Sequence, residues 1–130
     1  MLTHNKDSDI NNKEDIEEKY KELLDLIYDC DVKILIAERL CDGKWHSTSE
    51  LWRIGKQADQ MLGLIKTGTI LKSFQDILGE DFVQKSSNNA DDVVSWRINP
   101  EYLQVFEGIV KKAVARRHRE TKSLSSLGLL

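Results

Sequence analysis

The chain has 130 residues, 40% hydrophobic and 32% charged, with a net charge of −3. That length suits one core of about 100–200 residues, and the composition excludes a collagen-like, wholly disordered or large multi-domain architecture. There is no run of about 18 apolar residues to span a membrane, and the polar start Met1–Asp7 lacks the apolar stretch of a secretory leader, so a cytoplasmic protein is expected.

The net charge hides a gradient. Residues 1–31 carry four basic and ten acidic side chains, whereas residues 111–122 carry six basic and one acidic. Such a distribution serves either pairing between the two ends or a cationic patch for a polyanion. Cys30 and Cys41 lack the CxxC spacing of a zinc or redox site, and His4, His46 and His118 are scattered, so neither a disulfide framework nor a metal site is expected.

Residues 1–12 are polar and read as a flexible N-terminus. Ile16, Tyr20, Leu23, Leu24, Ile27 and Tyr28 then recur at helical spacing, predicting a helix over about 13–28 with an acidic outer face. Asp29 or Asp31 is positioned to cap a second helix over about 31–41, which Cys41-Asp42-Gly43 ends. Lys44-Trp45-His46 is an extended stub. Ser47-Thr48-Ser49-Glu50 is a capping box that starts a third helix at Thr48, with the Glu50 carboxylate reaching back to the cap. Gly55 allows a break, although Ala58, Met61, Leu62 and Ile65 prolong the helical spacing.

Ile70, Leu71, Phe74, Ile77 and Leu78 predict a fourth helix over about 68–78, stopped by Gly79. Phe82–Lys85 and Val93–Ile98 favour strands, and the turn-rich 86–92 segment between them makes a hairpin. Val94, Trp96 and Ile98 share one face of it. Asn99-Pro100-Glu101 combines a cap, a first-turn proline and an acid suited to the helix dipole. It opens a last helix over about 100–122, whose stripe Tyr102, Val105, Phe106, Ile109, Val110, Ala113 and Val114 faces a core. The domain therefore spans 13–122, followed by a flexible tail at 123–130.

This order of elements, carried by Trp45–Glu50, Thr67–Phe82 and the Phe82–Ile98 hairpin, resembles a winged helix-turn-helix domain. The passage from Thr67-Gly68-Thr69-Ile70-Leu71-Lys72 to Leu78-Gly79-Glu80-Asp81-Phe82-Val83 looks like that family's recognition helix running into its wing. The likeness covers about two-thirds of the chain and rests on pattern. It implies a mainly α fold with a small β-hairpin (α+β), with additional N-terminal and long C-terminal helices. One departure stands out: Gly55 to Lys66 leaves about a dozen residues where the family has a short turn.

The resemblance also implies a transcriptional regulator that binds double-stranded DNA as a homodimer. Thr69, Lys72, Ser73 and Gln75 would then enter the major groove, with Thr67 beside them, while Lys66, Lys85 and Arg97 hold phosphates. Lys112, Arg116, Arg117 and Arg119, with Lys111 and Lys122, form the clearest cationic feature of the sequence. They serve phosphates, the negative end of a helix, or the acidic residues Glu14, Asp15, Glu17, Glu18 and Glu22. Tyr20, Leu24, Ile27, Val110 and Val114 are candidate dimer contacts, and the same helices alternatively complete the core of one subunit.

Asp76, Asp91 and Asp92 oppose DNA contact and keep a second function in view, a winged-helix assembly module without direct DNA readout. No phosphate loop, nucleophile motif or paired-histidine site indicates an enzyme, and no cofactor is implied. Trp45, Trp52 and Trp96 read most simply as core residues.

Overall fold

The computed structural model describes residues 16–88 and 93–126, so the polar residues 1–12, Asp91 and Asp92, and residues 127–130 lie outside it. Helix α1 occupies 16–27, and its Leu23 and Ile27 are fully buried beneath an acidic outer face. Helix α2, Asp31–Leu40, buries Val32, Ile34, Ile36, Ala37 and Leu40 on more than one face, as its sequence requires. Its cap is Cys30, in extended conformation and without a side-chain bond, in place of the expected Asp29 or Asp31. Asp31 instead lies in the first turn, where its carboxylate meets the Arg117 guanidinium at 2.6 Å.

Strand β1, His46–Ser47, leads into α3, Thr48–Gly55. The Ser47 hydroxyl accepts from the Glu50 amide at 3.1 Å, as the capping box predicts. The second half of the box is absent, because the Glu50 carboxylate turns to His46 and Arg39. Helix α3 stops at Gly55, so 56–63 form an irregular turn and no helical continuation. That turn is pinned by Leu62, which is buried and whose carbonyl accepts from the Trp52 indole at 2.7 Å. A side chain at Gly55 would place its Cβ 2.6 Å from Leu62 Cδ2, so the glycine is what lets the turn fold down onto α2 and α3.

Helix α4 runs from Leu64 to Leu78, one turn earlier than the spacing predicts. Gly68 reads as a starting signal but is tolerated inside the helix, where a Cβ would meet no neighbouring atom within 4 Å. Gly79, at φ 102°, ends it. Strands β2, Val83–Asn88, and β3, Val93–Ile98, pair antiparallel with Val83 opposite Ile98 and Lys85 opposite Trp96. The expected stub becomes β1, which pairs with β3 through His46 and Trp96, so the sheet order is β1-β3-β2.

Asn99 caps the next element by accepting from the Glu101 amide at 3.0 Å. A 3-10 turn, Pro100–Tyr102, then opens α5, Leu103–Ser126. The helix passes the predicted end at 122, since no breaker precedes Gly128. Phe106, Ile109, Val110 and Ala113 bury its inner stripe in the same core as Leu23, Ile36, Leu51, Phe74 and Ile98. Helix α1 thus completes the core of its own subunit. Among the described residues no helix is long and apolar enough to cross a membrane.

Candidate nucleic-acid interface

The helix-turn-helix and the wing leave one side of α4 in solvent. Ile70, Leu71, Phe74 and Leu78 hold the opposite side in the core. Outward lie Ile65, Lys66, Thr69, Lys72 and Asp76, with Ser73 half-buried. Lys72 pairs with Asp76 one turn on, at 3.2 Å. The Thr69 and Ser73 hydroxyls donate to the carbonyls of Ile65 and Ile70.

Two expected contact residues face the other way. Thr67 is fully buried and donates to the Gly63 carbonyl at 3.0 Å; Gln75 is 6% exposed and its amide donates to the Val83 carbonyl at 2.9 Å. Both ring the core, because residues three or four from Ile70, Leu71 and Leu78 share their helix face. Gln75 ties α4 to the start of the wing and contributes position only.

Between α4 and the wing lies a groove of about 630 Å³ lined by Trp45, Lys72, Gln75, Glu80, Gln84 and Lys85. The Arg97 guanidinium stacks over the Trp45 ring at 4.7 Å, and its Nε donates to Gln84 Oε1 at 2.7 Å. Lys85 rides over the Trp96 ring at 5.4 Å. Of the three tryptophans only Trp96 is a buried core residue; its indole donates to the Thr48 hydroxyl at 2.9 Å. Trp52 is half-buried, and Trp45 is exposed on the groove, where it holds Arg97. The sequence contains no signal for that exposure.

On β1, buried His46 sits between two carboxylates, with Nε2 2.8 Å from Asp42 Oδ1 and Nδ1 bonded to Glu50. The spacing of Asp42, His46 and Glu50, four residues apart in each step, is a readable trace of this clasp. The two nitrogens face opposite sides, and among the described residues no group of His, Cys, Asp and Glu is arranged to hold a metal ion. Burial pushes the Asp42 carboxyl up, but the His46 bond, the Lys44 amide and the charges of His46 and Arg39 together bring it below its ordinary 3.8.

A depressed carboxyl stabilises the fold above its unfolded pKa and loses that contribution as pH falls through its folded value. Thermal melts are therefore expected to show Asp42→Asn less stable than the native chain near neutrality. The gap should hold down to about pH 4 and close as pH falls further, through the depressed carboxyl; a gap that persists unchanged well below that pH would contradict the clasp. Nearby Cys41, half-buried and unpaired, has its thiol pushed up to about 11 by burial, with Glu107, Glu38 and Asp42 adding to the shift, so it is neutral and unreactive at ordinary pH.

The basic stretch of α5 lies against α1 and α2. Arg116 stacks 3.7 Å from the Tyr28 ring and donates to Asp25 at 2.7 Å, with Glu120 3.5 Å away, while Arg117 holds Asp31. The acidic partners are thus Asp25 and Asp31 of the same subunit, with Glu17, Glu18 and Glu22 exposed on α1. Arg116 and Arg117, expected on phosphates, are engaged within the fold; Lys111, Lys112 and Arg119 are exposed on the same helix.

The expected dimer residues divide in the same way. Ile27 and Val110 are buried in their own subunit's core and so have no surface for a partner. Tyr20 and Leu24 are half-buried against that core, and Val114 is exposed.

No family model and no curated protein matches the chain. A solved structure of a Lactococcus lactis ZitR mutant in apo form aligns with 98% of this chain and 81% of its own, at 16% identity and a TM-score of 0.42; at that level nothing is transferred from it. The order α2-β1-α3-α4-β2-β3-α5, with β1 closing a three-stranded antiparallel sheet beside the hairpin, makes this fold a winged helix-turn-helix.

Proposed function

We propose that this chain is a DNA-binding transcriptional regulator that sets the outer face of α4 in the major groove of duplex DNA. The observation that carries the reading is the exposed side of α4 lying beside a groove flanked by Lys72, Lys85 and the Trp45-held Arg97. Lys66 and Lys72 on the helix, with Lys85 and Arg97 on the wing, then meet phosphates, and Thr69 and Ser73 on the outer side of α4 face the bases of the duplex. Two subunits, joined through Val114 and the half-buried Tyr20 and Leu24, would present two α4 helices about one duplex turn apart, ~34 Å.

Duplex affinity is expected to fall linearly with the logarithm of salt concentration, by about 0.9 in slope per phosphate neutralised. Fluorescence anisotropy on a labelled duplex reads this directly, and a folded protein that binds no duplex at low salt would overturn the proposal. The alternative of an assembly module, with acidic and basic ends mating between subunits, gains nothing from Arg116 and Arg117, whose partners Asp25 and Asp31 belong to the same subunit.

A further inference from the structure

The donors on the outer side of α4 are largely committed. Thr69 bonds to Ile65, Ser73 to Ile70, and Lys72 is held by Asp76. Thr67 and Gln75 are turned inward. Lys66 is the outward donor with no such internal bond among the described residues. Reading bases by the usual bidentate amide or guanidinium contacts is therefore closed to this helix, which carries no outward Asn, Gln or Arg.

What the helix presents instead is hydrocarbon. Ile65 is 88% exposed and Leu64 46% at the N-terminal end of α4, with Met61 90% exposed in the turn before it. Ile65 and Thr69 are one turn apart on one face. With its hydroxyl hydrogen committed to the helix, Thr69 offers a groove its methyl group and an oxygen that can only accept. Exposed Lys66 adjoins Ile65 and Lys72 lies two turns further along the same side, while Asp59 accepts from the Met61 amide and Asp76 pairs with Lys72; Lys85 and Arg97 stand by the groove at the other half of α4.

A major groove offers apolar contact at one place, the C5-methyl group of thymine. We infer that α4 recognises duplex DNA by the C5-methyl groups of pyrimidines, thymine first, through Ile65 with Met61 and Thr69 beside it. This rests on the duplex-DNA reading above and names what that surface selects. Lys66 and the wing cations fix the helix on the phosphates without regard to sequence, and the methyl contacts supply the preference. Deleting one contacted methyl should weaken binding about fourfold, the share of a buried methylene-sized group.

The test compares four duplexes of about two turns, ~20 base pairs, with the full-length protein. Two are alternating adenine–thymine and the same sequence with uracil for thymine. The others are alternating guanine–cytosine and the same sequence with 5-methylcytosine. Tighter binding to the thymine than the uracil duplex, by about fourfold or more, is expected, and methylation of cytosine should strengthen binding in the same sense. Ile65→Ala, at a solvent-exposed position that leaves the core intact, should bring both ratios towards one without changing the salt slope. Equal affinity for thymine and uracil duplexes, with binding intact, would overturn the methyl reading and leave duplex binding standing. That is also the outcome if a protein partner covers this patch. Absence of binding to all four duplexes removes both.

Discussion

Alanine at Phe74 is expected to lower the unfolding free energy by about 3–5 kcal/mol. Phe74 is among the largest fully buried side chains and lies on the inner face of α4, where the helix meets the rest of the core. Truncation removes the transfer free energy of the ring and leaves a cavity that the surrounding helices and sheet fill only in part. A domain of this size has about 5–15 kcal/mol in all, so the variant should unfold at far lower urea concentration with little change in slope. The control is Thr69→Ala on the outer face, expected to stay within about 0.5 kcal/mol. Together the two measure which way α4 faces; a small effect at Phe74 beside a large one at Thr69 would rotate the helix and remove its outer face from any groove.

Reversing both Lys66 and Lys72 to glutamate should weaken duplex binding by at least about a hundredfold at moderate salt and flatten the salt slope by about two. Both side chains are exposed, and Lys72 has only an exposed partner, Asp76, so pairing within the helix holds it weakly and a phosphate can displace the carboxylate. Stability should change by less than about 1 kcal/mol, which separates lost binding from lost folding. An unchanged slope would place the phosphate contacts elsewhere, on Lys111, Lys112 and Arg119 of α5, and the same assay with those three reversed would show it.

Local chemistry makes much of this fold readable. Ser47 and Asn99 cap the elements their neighbours predict, Gly79 stops α4, and Trp96 and Ile98 fall on the buried face of β3 as alternation requires. The fourth helix is legible in phase but not in start: Gly68 resembles a boundary, and only the packing of buried Thr67 and its bond to Gly63 carries the helix back to Leu64. Gln75 reads as a groove contact by its polarity, although it lies four residues after Leu71 and three before Leu78. A carbonyl freed at the start of β2 satisfies its amide, and no local pattern announces that partner.

The same limit governs Ile27 and Val110. Apolar spacing says that a residue is buried and leaves open whether its own subunit or a second one covers it. Met61 and Ile65 share a helical stripe with Leu62 by spacing, yet only Leu62 is buried, because the chain between α3 and α4 turns instead of coiling. The outward hydrocarbon at the head of α4 is a tertiary outcome, and so is the chemistry it offers a groove.

Backbone amide shifts recorded while a short duplex is titrated into the isotopically labelled protein test the central claim most directly. Changes concentrated at 61–76 on α4 and its preceding turn, and at 84–86 and 97 on the wing, are the predicted result. Changes confined to α1 and α5, or none at low salt in a folded sample, would contradict it.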